Sequence, residues 1–206
     1  MTHMLQTAFS VLGTPVTWLE VAAFALSLAC VIFETLEIHW AWPLAIVSSG
    51  LYGWLFYASR LYGDMAVQAY FVASSGWGWW EWLFGRRAVD GDGAAAPLRI
   101  VRLTQRHRAT VAALWLLLWP LVGLFLARFT DTDVPYFDAF PTTGSLIGQV
   151  LLARKYVESW PVWLLVNVVS IALYQVKALH LTALLYIIFA ALALVGWRRW
   201  ARPSAG

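Results

Sequence analysis

The sequence has few of the residues on which metal, redox or nucleotide chemistry depends. It contains one cysteine, Cys30, so no intrachain disulfide is possible, and we expect a small buried core residue there. The four histidines lie far apart without the close spacing of ligands, so we expect no metal site. No glycine-rich phosphate loop is present, which argues against an ATP-driven motor. The sequence also lacks the basic stretch, apolar run and cleavage site of a secretory signal, so the first apolar segment is expected to remain.

Charge is also scarce, and apolar residues take its place. Of 206 residues, 12% are charged and 61% are hydrophobic, whereas a soluble domain is about 25% charged and roughly 45–50% apolar. A soluble fold of this size could not bury so much apolar surface, so we expect the surrounding solvent to be lipid. The net charge of +3 comes from a few inter-helix clusters and does not indicate a nucleic-acid partner.

Seven apolar segments are long enough to cross a bilayer as helices. They cover residues 16–36, 41–59, 63–83, 110–130, 139–156, 160–177 and 179–197. The predicted fold class is therefore an all-α integral membrane protein with seven transmembrane helices. In the fifth segment, Gly144 and Gly148 are four residues apart. They would let another helix approach closely, unless their spacing is a matter of chance.

The distribution of lysine and arginine predicts the orientation in the membrane. Basic residues collect in the loop at 85–109, at 154–155 and in the tail after 197, whereas the connection between the fourth and fifth helices carries three aspartates. We therefore expect an extracytoplasmic N-terminus and a cytoplasmic C-terminus, with Arg60 and Lys177 against the trend. The loop at 85–109 contains Asp-Gly-Asp-Gly and an alanine run, which predicts a flexible basic cytoplasmic linker.

Shifting the chain by 118 residues against itself reveals an internal repeat. The coincident residues are Trp42-Pro43 with Trp160-Pro161, Phe71 with Phe189, Gly78-Trp79 with Gly196-Trp197, and Trp82 with Trp200. The repeat predicts one transmembrane domain over 1–206, with three-helix units at 16–84 and 139–200 joined through a linker helix at 110–130. This is a SWEET-like 3+1+3 arrangement of parallel repeats, in which the substrate site lies between the halves.

Polar and aromatic side chains of the sixth helix share one face. At 100° per residue, this stripe, about 100° wide, collects Trp160, Trp163, Asn167, Ser170, Tyr174 and Lys177. Polar groups in a membrane helix usually face the protein interior or a wet cavity, so the stripe is a candidate small-molecule site. The alternative is a helix–helix interface in which Asn167 bonds a neighbouring helix and Trp160 anchors at the membrane surface.

The third helix has a comparable face, which carries Asp64, Gln68, Phe71 and Ser75. A carboxamide both donates and accepts hydrogen bonds, which suits a substrate that carries an amide, and aromatic faces suit a flat or cationic ring. Asp64 lies near a helix end and is also consistent with simple solvation. Solvation or structural pairing is expected for Glu20, Glu34 and Glu37, near the ends of the first helix.

The pattern Trp160-x2-Trp163-x3-Asn167-x6-Tyr174 resembles the signature of the PnuC family of vitamin transporters, best known for nicotinamide riboside. The stretch from Trp42-Pro43 to Gln68 resembles the family's first repeat. The resemblance implies facilitated diffusion of a vitamin precursor across the bacterial inner membrane by a homotrimer without cofactor. A cytoplasmic kinase would trap the riboside by phosphorylation. Thiamin or riboflavin remains open as the substrate.

The resemblance also implies roles for individual side chains. Asn167 and Gln68 would bond the substrate amide, Trp163 and Tyr174 would enclose the ring, and the neighbouring polar groups would hold the sugar. Other classes fit less well. A retinal photoreceptor needs a lysine in the seventh helix, which has none, and an intramembrane enzyme needs a nucleophile beside a base. A pure sugar carrier would not require so many tryptophans.

Overall fold

The computed structural model describes residues 7–11, 14–58, 62–88, 95–130, 132–176 and 180–202. Within them the chain forms two short antiparallel hairpins and seven helices. The hairpins pair β1 (Thr7–Val11) with β2 (Thr14–Thr17), and β3 (Arg86–Ala88) with β4 (Ala95–Pro97). The helices are α1 (Trp18–Thr35), α2 (Ala41–Ala58), α3 (Tyr62–Phe84), α4 (Gln105–Phe129), α5 (Pro135–Ala153), α6 (Ser159–Val176) and α7 (His180–Trp200).

Each of the seven predicted segments is a helix, which confirms this part of the sequence prediction. The largest differences are at the starts of α4 and α5, which begin at 105 and 135 rather than at 110 and 139. In α4 the extra turn is polar, and the Thr104 side chain caps it by accepting a hydrogen bond from the backbone N–H of His107. A hydropathy pattern does not reveal such a turn, because its residues lie outside the apolar run.

The basic loop at 85–109 was predicted to be a flexible linker, and this is wrong for its described part. β3 and β4 pair within it, and the backbone of Val101 bonds to both Lys155 and Val157 in the connection between α5 and α6. Leu98 and Leu103 are buried. The segment is therefore held by backbone hydrogen bonds and apolar burial. The residues of the Asp-Gly-Asp-Gly stretch lie outside the described part of the chain.

Among the described residues, three helices are by themselves long and apolar enough to cross a membrane. They are α4, α6 and residues Ala183–Trp200 of α7, and the apolar stretch Val21–Thr35 of α1 is shorter. On α4, large apolar side chains such as Leu116, Leu117 and Phe125 are exposed. Exposed leucine and phenylalanine over several turns suit contact with lipid hydrocarbon.

The chain divides into two compact units, Met1–Trp80 and Glu81–Gly206. Each unit contains a tryptophan packed on a glycine of another helix. In the first, a Cβ added to Gly78 would lie 2.7 Å from Cζ2 of Trp42, and in the second a Cβ added to Gly196 would lie 2.6 Å from Cδ2 of Trp160. Both tryptophans are fully buried, with 0% and 1% exposure. The two pairs occupy positions that the 118-residue offset makes equivalent.

Two glycines of α5 let α6 approach closely in the second unit. A Cβ added to Gly144 would lie 2.5 Å from Cγ2 of Val166, and one added to Gly148 would lie 3.1 Å from Cε2 of Trp163. The prediction of a close helix approach at these glycines is confirmed. Trp115 of α4 joins the same apolar core, which fixes the position of the α6 face that carries the candidate site.

Candidate substrate site

The polar stripe of α6 faces the interior of the second unit. Asn167 and Ser170 are 5% and 3% exposed, whereas Leu165 and Val168, on the other side of the helix, are exposed. The burial follows from the periodicity of the sequence, because residues three and four apart share a helix face. Asn167 and Ser170 are therefore held away from lipid.

Two polar groups of this stripe lie one turn apart and are shielded from solvent. The indole Nε1 of Trp163 is buried and has no partner among the described residues. One turn further along α6, Asn167 is 5% exposed and carries a carboxamide that can both donate and accept hydrogen bonds. A buried polar group without a partner costs about 1–3 kcal/mol. A ligand that accepted a hydrogen bond from the Trp163 indole would recover that cost.

Aromatic rings continue the site toward the end of α6. The ring of Tyr174 lies 5.0 Å from that of Tyr186 on α7, and Tyr186 in turn lies 5.8 Å from Phe189 in an edge-on arrangement. Sequence reasoning did not name Tyr186 or Phe189 as site residues. The available signal was their spacing of three on α7, together with the repeat, which aligns Tyr186 with Gln68 and Phe189 with Phe71.

Trp160 was also named for the substrate site, and the structure gives it a packing position. Its ring covers Gly196 and meets the Trp200 ring edge-on at 5.3 Å, and its indole Nε1 has no partner among the described residues. The angular position of Trp160 on α6 could not predict this contact, because the contact is made with a glycine of another helix, α7.

The remaining predicted site residues lie outside the second unit or outside the described side chains. Gln68 of α3 is half-buried, and its Cβ would lie 3.5 Å from a Cβ added to Gly53 of α2. Asp64 lies in α3, but its side chain is outside the described residues, as is the whole of Lys177. Gln68 belongs to the first compact unit, Met1–Trp80.

The first unit also contains a buried carboxyl group. Glu34 is buried on α1, and its Oε1 lies 3.4 Å from the Sγ of Cys30, which is also buried. The sequence left solvation and structural pairing open for Glu34. Because Glu34 is buried and bonds to Cys30, the structure supports pairing. In the described part of the chain, no group of three or more histidine, cysteine, aspartate or glutamate side chains is arranged to hold a metal ion.

Comparison with known proteins identifies the family. The family model described as nicotinamide mononucleotide transporter matches residues 17–202. The chain belongs to this family. Membership confirms the resemblance found in the sequence and makes the protein a multi-pass membrane transporter rather than an enzyme.

Individual relatives resemble the chain over nearly its whole length. The nicotinamide riboside transporter PnuC of Escherichia coli K12 is 23% identical over 210 residues, covering 91% of this chain and 87% of its own. The riboflavin/roseoflavin transporter RibM of Streptomyces davaonensis is 28% identical over 194 residues, covering 94% and 89%. A crystal structure of the vitamin B3 transporter PnuC matches with a TM-score of 0.72 and 22% identity, covering 89% and 80%. The fold is therefore that of a PnuC transporter.

Proposed function

We propose that this protein carries nicotinamide riboside across the bacterial inner membrane by facilitated diffusion with alternating access. The observation that carries the proposal is the pair formed by Trp163 and Asn167, which lie one turn apart on α6. The Trp163 indole N–H has no partner among the described residues, and the Asn167 carboxamide is buried. The Asn167 carboxamide can donate to and accept from the amide of nicotinamide. The Trp163 ring suits the flat, cationic pyridinium through stacking and cation–π attraction.

The other elements of the proposal come from the sequence and the family. Tyr174 encloses the ring, and Ser170 and Lys177 bind the sugar. On α3, Gln68 bonds the substrate amide and Asp64 is a further substrate-binding residue. The protein works as a homotrimer, with its N-terminus extracytoplasmic and its C-terminus cytoplasmic, and with the 3+1+3 arrangement of parallel repeats. Net uptake is driven by a cytoplasmic riboside kinase, because the phosphorylated product is charged and cannot leave.

Riboflavin is the second candidate substrate, and one observation favours it. RibM is 28% identical to this chain, against 23% for the PnuC of Escherichia coli. Riboflavin also has a flat heterocycle with carbonyl and N–H groups that could pair with Asn167 and stack on Trp163. Thiamin is a third heterocyclic vitamin that the sequence leaves open.

The choice of substrate is tested by titration calorimetry of the purified protein with nicotinamide riboside, riboflavin and thiamin. We expect nicotinamide riboside to bind most tightly. If riboflavin bound and the riboside gave no heat of binding, the proposed substrate would be wrong and riboflavin would replace it. The assignment of the protein as a transporter would not change.

The mode of transport is tested separately in liposomes. Labelled riboside should enter until its internal and external concentrations are equal, and it should accumulate further only when a riboside kinase and ATP are enclosed. Accumulation above the external concentration without the kinase would refute facilitated diffusion.

A further inference from the structure

The second compact unit contains two kinds of cationic side chain. Some make contacts within the unit. Arg87 donates to the backbone oxygen of Arg154 at 2.6 Å, Arg154 pairs with Glu81, Arg108 pairs with Glu158, and the Lys155 Nζ lies over the Trp82 ring. The other described cations of the unit are exposed, and Arg102 among them also makes a contact within the unit. Apart from Arg128, they are Arg86, Arg99, Arg102, Arg106, Arg198, Arg199 and Arg202.

The fold gathers these seven arginines at one end of the unit, although they come from distant parts of the sequence. Nη2 of Arg102 donates to the backbone oxygen of Ala201 at 3.0 Å and thereby joins the segment before α4 to the end of α7. Nη1 of Arg87 donates to the backbone oxygen of Arg99 at 3.2 Å and joins the β3–β4 hairpin to the same segment. We call this set of seven exposed arginines the basic face.

Few acidic groups are available to neutralise the basic face. Glu81 and Glu158 are held in ion pairs with Arg154 and Arg108, at 3.0 and 2.7 Å. Asp90 and Asp92, which lie outside the described residues, are the two other acids of the neighbouring sequence. Seven arginines against at most two free carboxylates leave an excess of at least five positive charges.

Exposed apolar side chains border the basic face. Leu83 and Phe84 end α3 immediately before Arg86, and Trp197 precedes Arg198 on α7. A helix end that changes from exposed apolar and aromatic side chains to arginine within a few residues is typical of the boundary between hydrocarbon and lipid headgroups. The basic face therefore lies at the depth where lipid phosphates are concentrated.

We propose that the basic face binds the phosphate groups of anionic phospholipids. Guanidinium groups bind phosphate oxygens through paired, charge-assisted hydrogen bonds. A lipid is favoured over an acidic protein because the exposed Phe84 and Trp197 would contact its acyl chains beside the phosphate. This inference concerns the surface of the protein and does not depend on which vitamin is carried.

The experiment measures lipid binding to the purified full-length protein in a neutral detergent by native mass spectrometry. Phosphatidylglycerol and phosphatidylcholine with identical acyl chains are titrated in parallel. The test variant combines Arg106→Gln, Arg198→Gln and Arg199→Gln, and the matched control is Arg128→Gln. Arg128 is exposed on the same α4 helix, but in its last turn, at the other end from Arg106.

We expect the triple variant to bind phosphatidylglycerol about tenfold more weakly than wild type, while the control is unchanged. Replacing the same three arginines with lysine should retain most of the binding. Equal affinity of wild type for the two lipids, or undiminished binding by the glutamine variant, would overturn the proposal. Displacement of phosphatidylglycerol by an equal concentration of inorganic phosphate would also overturn it, because the site would then recognise a free anion.

Discussion

Replacing Arg154 with alanine is expected to destabilise the second compact unit more than replacing its partner, Glu81. Nη1 of Arg154 lies 3.2 and 3.0 Å from the two carboxylate oxygens of Glu81. The two side chains differ in exposure, since that of Glu81 is 8% exposed and that of Arg154 is 36% exposed. Loss of the arginine therefore leaves a buried carboxylate without its partner, whereas loss of the glutamate leaves a cation that can reach solvent.

The difference in exposure between the two side chains determines how much free energy of unfolding each substitution should cost. Breaking a buried pair so that a charge stays buried costs about 3–5 kcal/mol, so Arg154→Ala should cost about that much. Glu81→Ala should cost about 1 kcal/mol, the range of a partly exposed pair. The double variant should be more stable than Arg154→Ala alone, because it leaves no buried charge.

The assay is chemical denaturation of the purified protein in detergent, followed by circular dichroism. The neighbouring exposed Arg86→Ala serves as the control and should change the free energy of unfolding by less than about 0.5 kcal/mol. If Glu81→Ala were as damaging as Arg154→Ala, or if both were neutral, the reasoning from burial would be refuted.

Three further predictions concern packing, capping and the ligand. Gly196→Ala should lower stability by about 1–3 kcal/mol, because its new methyl group would meet the Trp160 ring. Thermal unfolding measures this loss, and the control Gly76→Ala should show none, because there is open space around Gly76. Thr104→Ala removes the side chain that caps α4 and should cost about 1 kcal/mol in the same assay; no change would mean that the cap is not used. Trp163→Phe keeps an aromatic ring, although a smaller one, and removes the N–H, and calorimetry should show roughly tenfold weaker vitamin binding; unchanged affinity would exclude the indole N–H from the site.

The helices could be predicted from the sequence because long apolar runs are a local signal. The β3–β4 hairpin and the pairing of Val101 with the α5–α6 connection could not, because they depend on contacts between segments far apart in the chain. The same limit applies to the Glu81–Arg154 pair, whose members are 73 residues apart. Arg154, which in the sequence indicates only the orientation in the membrane, here pairs with the buried carboxylate of Glu81.

The candidate site was predictable to the extent that it lies on one helix. Periodicity alone places Asn167 and Ser170 on the buried face of α6, as observed. It does not distinguish Trp163, whose ring packs against Gly148 of α5, from Trp160, whose ring packs against Gly196 of α7 and meets the Trp200 ring. That distinction depends on α7, and so does the position of Tyr186 beside Tyr174.

Titration of nicotinamide riboside into Asn167→Ala and Val168→Ala tests the central claim most directly. The two positions are adjacent on α6, but Asn167 is buried and Val168 is exposed. The alanine at 167 should weaken binding roughly tenfold to a hundredfold, as expected when a buried hydrogen-bonding partner is lost, while the alanine at 168 should leave the affinity unchanged. Equal affinities for the riboside in the two variants would contradict the assignment of this α6 face as the substrate site.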